Sequence, residues 1–167
     1  PAAVPAEVLT GLSAVARQDE TMKTRLAAAY ALGTLGAPFM GPMPEAAAGP
    51  VAADLAGALQ HPDAATRQVV ARVAGRVFLQ VAGREVPPVL GDALVNAMND
   101  GDPLVRRWAM DSLGWLKYER AVQALTERQS YYGRSEEGSA ALHALARIAA
   151  PASAPVFRAL LSSSAPA

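Results

Sequence analysis

One pattern of residues returns four times along this chain of 167 residues, and a recurring unit constrains folding more tightly than any single residue, because each copy packs against the next. From Arg25 it reads Arg25, Ala28, Ala31, Leu32, Gly33, Leu35 and Gly36; from Arg106 the same offsets give Arg106, Ala109, Ser112, Leu113, Gly114, Leu116 and Lys117. From Arg67 they give Val70, Val73, Ala74, Gly75 and Val77, and from Gly138, where the arginine is lacking, Ala141, Ala144, Leu145, Ala146 and Ile148. The copies begin 42, 39 and 32 residues apart, so the period is loose and the length changes fall in loops. Offsets 0, 3, 6, 7 and 10 lay one apolar stripe along a helix of 3.6 residues per turn. The small residue at offset 8 admits the backbone of a neighbour.

Ahead of the copies lie acidic, turn-forming stretches: Asp19-Glu20, His61-Pro62-Asp63, the run from Asn99 to Pro103, and Ser135-Glu136-Glu137. Such residues cap free amides and suit the positive end of a helix dipole. Between the copies sit further amphipathic runs, Pro5 to Ala16, Pro50 to Leu59, Pro87 to Met98, Glu119 to Glu127 and Ala154 to Leu161, several opening with the proline that a first helical turn accepts. The unit is therefore helix, turn, helix. Composition agrees: 38 alanines suit close packing of short helices, the apolar fraction of 51% with zero net charge argues against disorder, and few residues favour strands. The absence of cysteine excludes disulfides and cysteine-bound zinc.

The segment from Asp102 through Arg106, Trp108, Asp111 and Gly114 to Leu116 resembles the second helix of a HEAT-like repeat of the PBS-lyase type, and the likeness extends over nearly the whole chain, weakest in the copy at Gly138. The resemblance implies an all-α, right-handed α-solenoid of about four and a half repeats, near residues 5–36, 50–82, 87–117 and 119–149, with an unpaired last helix at 154–162. Residues 1–163 form one domain and 164–167 a tail or linker stub. It further implies that second helices line the concave side, and that Arg25, Arg67, Arg106 and Asp102 form a structural ladder within and between repeats. Three departures stand out: the extended loop from Ala37 to Gly49, the insertion from Tyr131 to Arg134, and the unpaired last helix.

Residues that break the alanine background on the solvent side are the candidates for function. Offsets 1, 2, 5 and 9 point away from the stripe or to its flank. They hold Tyr30 in the first copy; Arg72 and Arg76 in the second; Arg107, Trp108, Asp111 and Trp115 in the third; His143 and Arg147 in the fourth. Trp and Arg supply much of the contact energy in many interfaces, so this set marks a partner-binding face. For Trp108 and Trp115 a second reading stands beside it, in which the rings wedge into the next repeat. Phe39, Met40 and Met43, in a loop stiffened by prolines, and Tyr131 and Tyr132 in the insertion, are possible further contacts, with folding back onto their own repeat as the blander expectation.

Signals of catalysis are sparse. The two histidines, His61 and His143, have no spacing that holds a metal, the repeated His-Glu pairs of HEAT-like di-iron hydroxylases are missing, and there is neither a phosphate loop nor a nucleophile elbow. The HEAT-like alkylpurine DNA glycosylases place tryptophans and an aspartate on a basic concave wall, which Trp108, Asp111 and Trp115 echo, though here all three share one helix. Charge speaks against nucleic acid, because no segment is basic: residues 1–36 carry three basic and three acidic groups, 37–78 three and three, 79–117 four and five, 118–151 four and four. Only segregation of Arg72, Arg76, Arg107 and Arg147 onto one face would change that.

The sequence therefore predicts a non-catalytic scaffold or adaptor that needs no cofactor or metal and presents a helical surface to a protein or peptide. A HEAT-like DNA-binding or glycosylase-type protein is the alternative. With no signal peptide or membrane-spanning segment in the chain, the expected place is the cytoplasm, and the beginning at Pro1 reads as a piece excised from a larger protein.

Overall fold

The computed structural model describes residues 4–35, 43–79 and 85–163, and among these there are nine α-helices and no strand. In chain order they are α1 (Ala6–Gln18), α2 (Met22–Leu35), α3 (Glu45–Ala58), α4 (Ala64–Val77), α5 (Pro88–Ala97), α6 (Pro103–Trp115), α7 (Val122–Tyr132), α8 (Glu136–Ile148) and α9 (Ala154–Ser163). The helices form two layers. The even-numbered helices stack one on the next from α2 to α8, α1, α3 and α5 stack likewise behind them, and most helices also pack on their partner in the pair. This is an all-α solenoid. No described helix is long and apolar enough to cross a membrane.

Different devices start the two layers. Asp63 caps α4 by accepting from the amides of Ala65 and Thr66, Asp102 caps α6 through Leu104 and Val105, and Ser135 caps α8 through Gly138. The odd helices α1, α3 and α5 instead follow Pro5, Pro44 and Pro87, whose fixed φ leads the chain into the first turn. At its far end α6 closes with Lys117 in the left-handed region (φ 50°), where the Lys117 amide bonds to Gly114 O and the Tyr118 amide to Leu113 O.

Two expectations shift. The helix anticipated from Pro50 begins at Glu45, so Pro50 lies inside α3 and the loop anticipated from Ala37 reaches no further than Pro44. The acidic Glu45 in the first turn and the alanines after it favour helix strongly enough to carry the chain past one lost amide. Likewise Tyr131 and Tyr132 are the last residues of α7, not part of an inserted loop; the stop comes at Gly133, which adopts φ 56° and returns its amide to Gln129 O. Phe39 and Met40 lie outside the described residues, whereas Met43 is half-buried against the core.

The core runs the length of the stack, with Leu32, Val70, Leu113 and Leu145 of the even helices and Leu55, Leu90 and Leu125 of the odd ones fully enclosed. Its registration rests on the small residue at offset 8. A methyl group on Gly33 would approach Val73 Cγ1 to 2.9 Å, one on Gly75 would approach Ser112 Cα to 2.8 Å, and one on Gly114 would approach Ala144 Cα to 3.0 Å. Val73, Ser112 and Ala144 all stand at offset 6 of the following copy, so one contact repeats three times. At its centre the Ser112 hydroxyl donates to Ala71 O (2.6 Å) and accepts from the Gly75 amide (2.9 Å). In the odd layer, the Ser13 hydroxyl and Arg17 both donate to Asp54, tying α1 to α3.

Gly75→Ala is expected to lower unfolding free energy by about 1–3 kcal/mol, the usual cost of forcing a methyl group into a filled core. Gly49→Ala, at a helical site with nothing within 4 Å, is expected to raise it by about 0.5–1 kcal/mol. Urea unfolding followed by circular dichroism checks both signs.

Candidate functional site

Two constellations stand on the even layer. The first is a ladder. Arg25 Nη1 donates to the carbonyls of Asp19 and Glu20, Arg67 Nη1 to those of His61 and Pro62, and Arg106 Nη1 to those of Asp100 and Gly101. Each arginine thus fastens the turn leading into its own helix. The rest of each guanidinium reaches forward. Arg25 meets Asp63 (3.2 Å) and Thr66 Oγ1 (3.0 Å), Arg67 grips both oxygens of Asp100 (2.7 and 2.9 Å), and Arg106 engages Glu137. Asp102, expected in this ladder, instead caps α6 and accepts from Gln68 Nε2 at 2.9 Å.

Those bonds show in the carboxylates' acidity. Bonds from the Thr66 hydroxyl, the Ala65 amide and Arg25 outweigh burial and lower Asp63 to a pKa of about 2. Arg67 holds Asp100 below the ordinary range, and Asp100 in turn raises Arg67. For Asp102, burial pushes upward, yet the bonds from Gln68, Val105 and Leu104 prevail and the pKa falls. The fourth copy has no ladder arginine because a side chain at position 138 would collide with the carbonyl of Gly133. Arg128 of α7 closes the rung from the other layer, donating to Glu137 Oε2 (3.0 Å) and Asn99 Oδ1 (2.7 Å). Sequence periodicity gave no hint of Arg128, which lies on a first helix outside the repeated pattern.

The second constellation faces solvent. Arg72 and Arg107 lie over the Trp108 ring with guanidinium carbons 5.0 and 5.6 Å from its centroid, and the indole itself is half-buried against the core. Two turns along α6, Trp115 is 42% exposed. Arg147 sits 4.3 Å over its ring and pairs with Asp111, whose other oxygen accepts from Trp115 Nε1 at 3.2 Å. Trp108 is thus partly packed and Trp115 partly exposed, and both are bracketed by arginines of α4, α6 and α8 across the helix seams. Arg76 is exposed one turn beyond Arg72, and His143 is exposed beside an opening of about 320 Å³ whose wall includes Arg107, Trp108 and Asp111.

Tyr30 is exposed on α2, with no described contact to this cluster. Tyr131 and Tyr132 lie on the odd layer, where their rings meet edge to face at 4.9 Å. Tyr131 is 83% exposed, and both line a recess between α5 and α7 with Val95 and Met98. Of the histidines, His61 Nδ1 accepts from the Asp63 amide within its turn. Among the described residues no group of histidines and carboxylates is arranged to hold a metal ion.

The ladder carboxylates and the Asp102 cap set an acid limit. Being more acidic folded than unfolded, Asp63, Asp100 and Asp102 contribute stability that is fully present above about pH 5 and drains as pH falls below the ordinary carboxylate range. Thermal melts in this window should show the loss, and Asp100→Asn should flatten the slope.

In comparison with known proteins, residues 53–131 match the family model for HEAT repeats. No curated protein matches the chain.

Proposed function

We infer, from the HEAT-repeat match over residues 53–131 and the stacked helix pairs around it, that the chain is a scaffold or adaptor whose exposed even-layer face receives a protein or peptide. HEAT repeats commonly serve as protein-interaction scaffolds and are generally non-catalytic. Stacked repeats hold a wide surface in fixed geometry, so a partner's contacts are not opposed by ordering of the scaffold.

The observation that carries the reading is the bracketing of Trp108 and Trp115 by Arg72, Arg107 and Arg147. Large rigid rings beside guanidinium groups are the composition of interface hot spots. Around them, the flanking positions of the four copies contain four arginines, Arg72, Arg76, Arg107 and Arg147, and one carboxylate, Asp111. Asp111 orients Arg147 and Trp115, and His143, at the rim of the adjoining opening, extends the surface towards α8.

Photo-crosslinking tests this placement. A photoreactive residue at position 76 or 143 is expected to capture the partner, while one at Arg120, exposed on the opposite layer, should not. Trp108→Ala should cut capture at least about tenfold with the helical circular dichroism retained. Equal capture from Arg120 would move the interface elsewhere.

Gathering of the arginines on one face also gives the DNA-binding alternative a specific footing, since phosphate contacts come from such groups. A low-salt gel shift with duplex DNA separates the two. The scaffold reading expects no shifted band, and a shift abolished by Arg76→Glu would favour DNA.

A further inference from the structure

We propose that the partner segment received by this face is an acidic linear peptide whose carboxylates are taken by Arg72, Arg76 and Arg107; the inference rests on the scaffold reading and adds the chemistry of the partner. It comes from comparing how the arginines of the fold are engaged. Arg25, Arg67, Arg106, Arg128 and Arg147 all spend donors on carboxylates of their own chain. Among the described residues, no carboxylate or hydrogen-bond acceptor engages Arg72, Arg76 or Arg107. Yet the three stand on adjacent helices.

Their placement suits a carboxylate more than it suits solvent. Arg72 and Arg107 are drawn to the Trp108 ring by its quadrupole, which limits their rotamers while the N–H forks have no acceptor among the described residues. A guanidinium restrained in this way loses less entropy when it grips a carboxylate in two-pronged fashion. Spacing points to an extended chain. Arg72 and Arg76 are one helical turn apart, about 5.4 Å, and α4 and α6 pack at a separation of about 8–10 Å. Side chains on one face of an extended peptide recur about every 7 Å, within reach of both intervals.

The acids near the cluster are matched by bases. Asp111 is neutralised by Arg147 and bonded to Trp115, and Glu136 lines the adjoining opening together with Arg134 and Arg107. A nucleic acid is the poorer fit, because three unpaired cations release few counterions and the chain as a whole carries no net charge.

The test exploits a fortunate distribution: the chain's two tryptophans both lie in this cluster, so intrinsic tryptophan fluorescence reports on it alone. Titration with a peptide of alternating Asp and Glu is expected to change that emission and to give a matching anisotropy rise on the labelled peptide. Binding should weaken several-fold, about 3–10 times, as salt rises from low to physiological strength. The charge reversals Arg72→Glu and Arg76→Glu should each weaken it about tenfold, whereas Arg120→Glu on the other layer should leave it unchanged.

Equal or tighter binding of an alternating Lys and Arg peptide, or of single-stranded DNA, would overturn the proposal. So would an acidic peptide whose binding survives both reversals. If crosslinking from position 76 captures a partner while acidic peptides fail to bind, the acidic chemistry falls and the scaffold reading stands; if position 76 captures nothing and Arg120 does, both fall.

Discussion

Everything in this molecule depends on how closely one second helix can approach the next. Gly33, Gly75 and Gly114 set that distance by carrying no side chain where the following helix brings Val73, Ser112 and Ala144. The contact is short-ranged and unforgiving, because close-packed interiors transmit a misplaced methyl group as displacement. Once the helices are seated, the ladder arginines fall within reach of the next repeat's acid, and the bracketing of Trp108 and Trp115 by arginines of three helices follows from the same registration.

The ladder and the exposed cluster show one residue type put to opposite uses. Arg67, with its side chain 18% exposed, fastens its own turn and Asp100 together. Arg72, five residues later and exposed, meets an aromatic face and, among the described residues, no acceptor. Burial and partners separate the two roles. An arginine whose donors are all satisfied internally holds the fold, and one whose donors remain open is available to something outside it.

Much of this was legible in the sequence, and the limits have physical causes. Of the even helices, α4, α6 and α8 could be located because their apolar stripes contrast with polar flanks, and α2 because it repeats the same offsets; offset 8 declared the tight approach. The start of α3 could not, since the alanines after Glu45 show no contrast between faces and Pro50 imitates a helix beginning. Nor could the acids of the ladder be read off. Asp63 and Asp100 sit where capping alone explains them, and each lies at a different distance in sequence from its arginine, 38 residues for Asp63 and 33 for Asp100, because the loops differ in length. The exposure of Arg76 followed from helical phase, whereas helical phase left Trp115 between exposed and wedged, and the Arg72 contact with Trp108 depends on two helices meeting and has no trace in local pattern.

The missing arginine at Gly138 has a mechanical meaning. Every earlier seam between second helices is stitched twice, by a guanidinium and by an interlocked glycine, and each stitch joins only nearest neighbours. The last such seam ends at Glu137, held by Arg106 from behind and Arg128 from the side, and beyond it α9 has no second helix among the described residues against which to close. Gly138 therefore leaves α8 with no guanidinium of its own to carry the ladder forward, and among the described residues the ladder stops at Glu137.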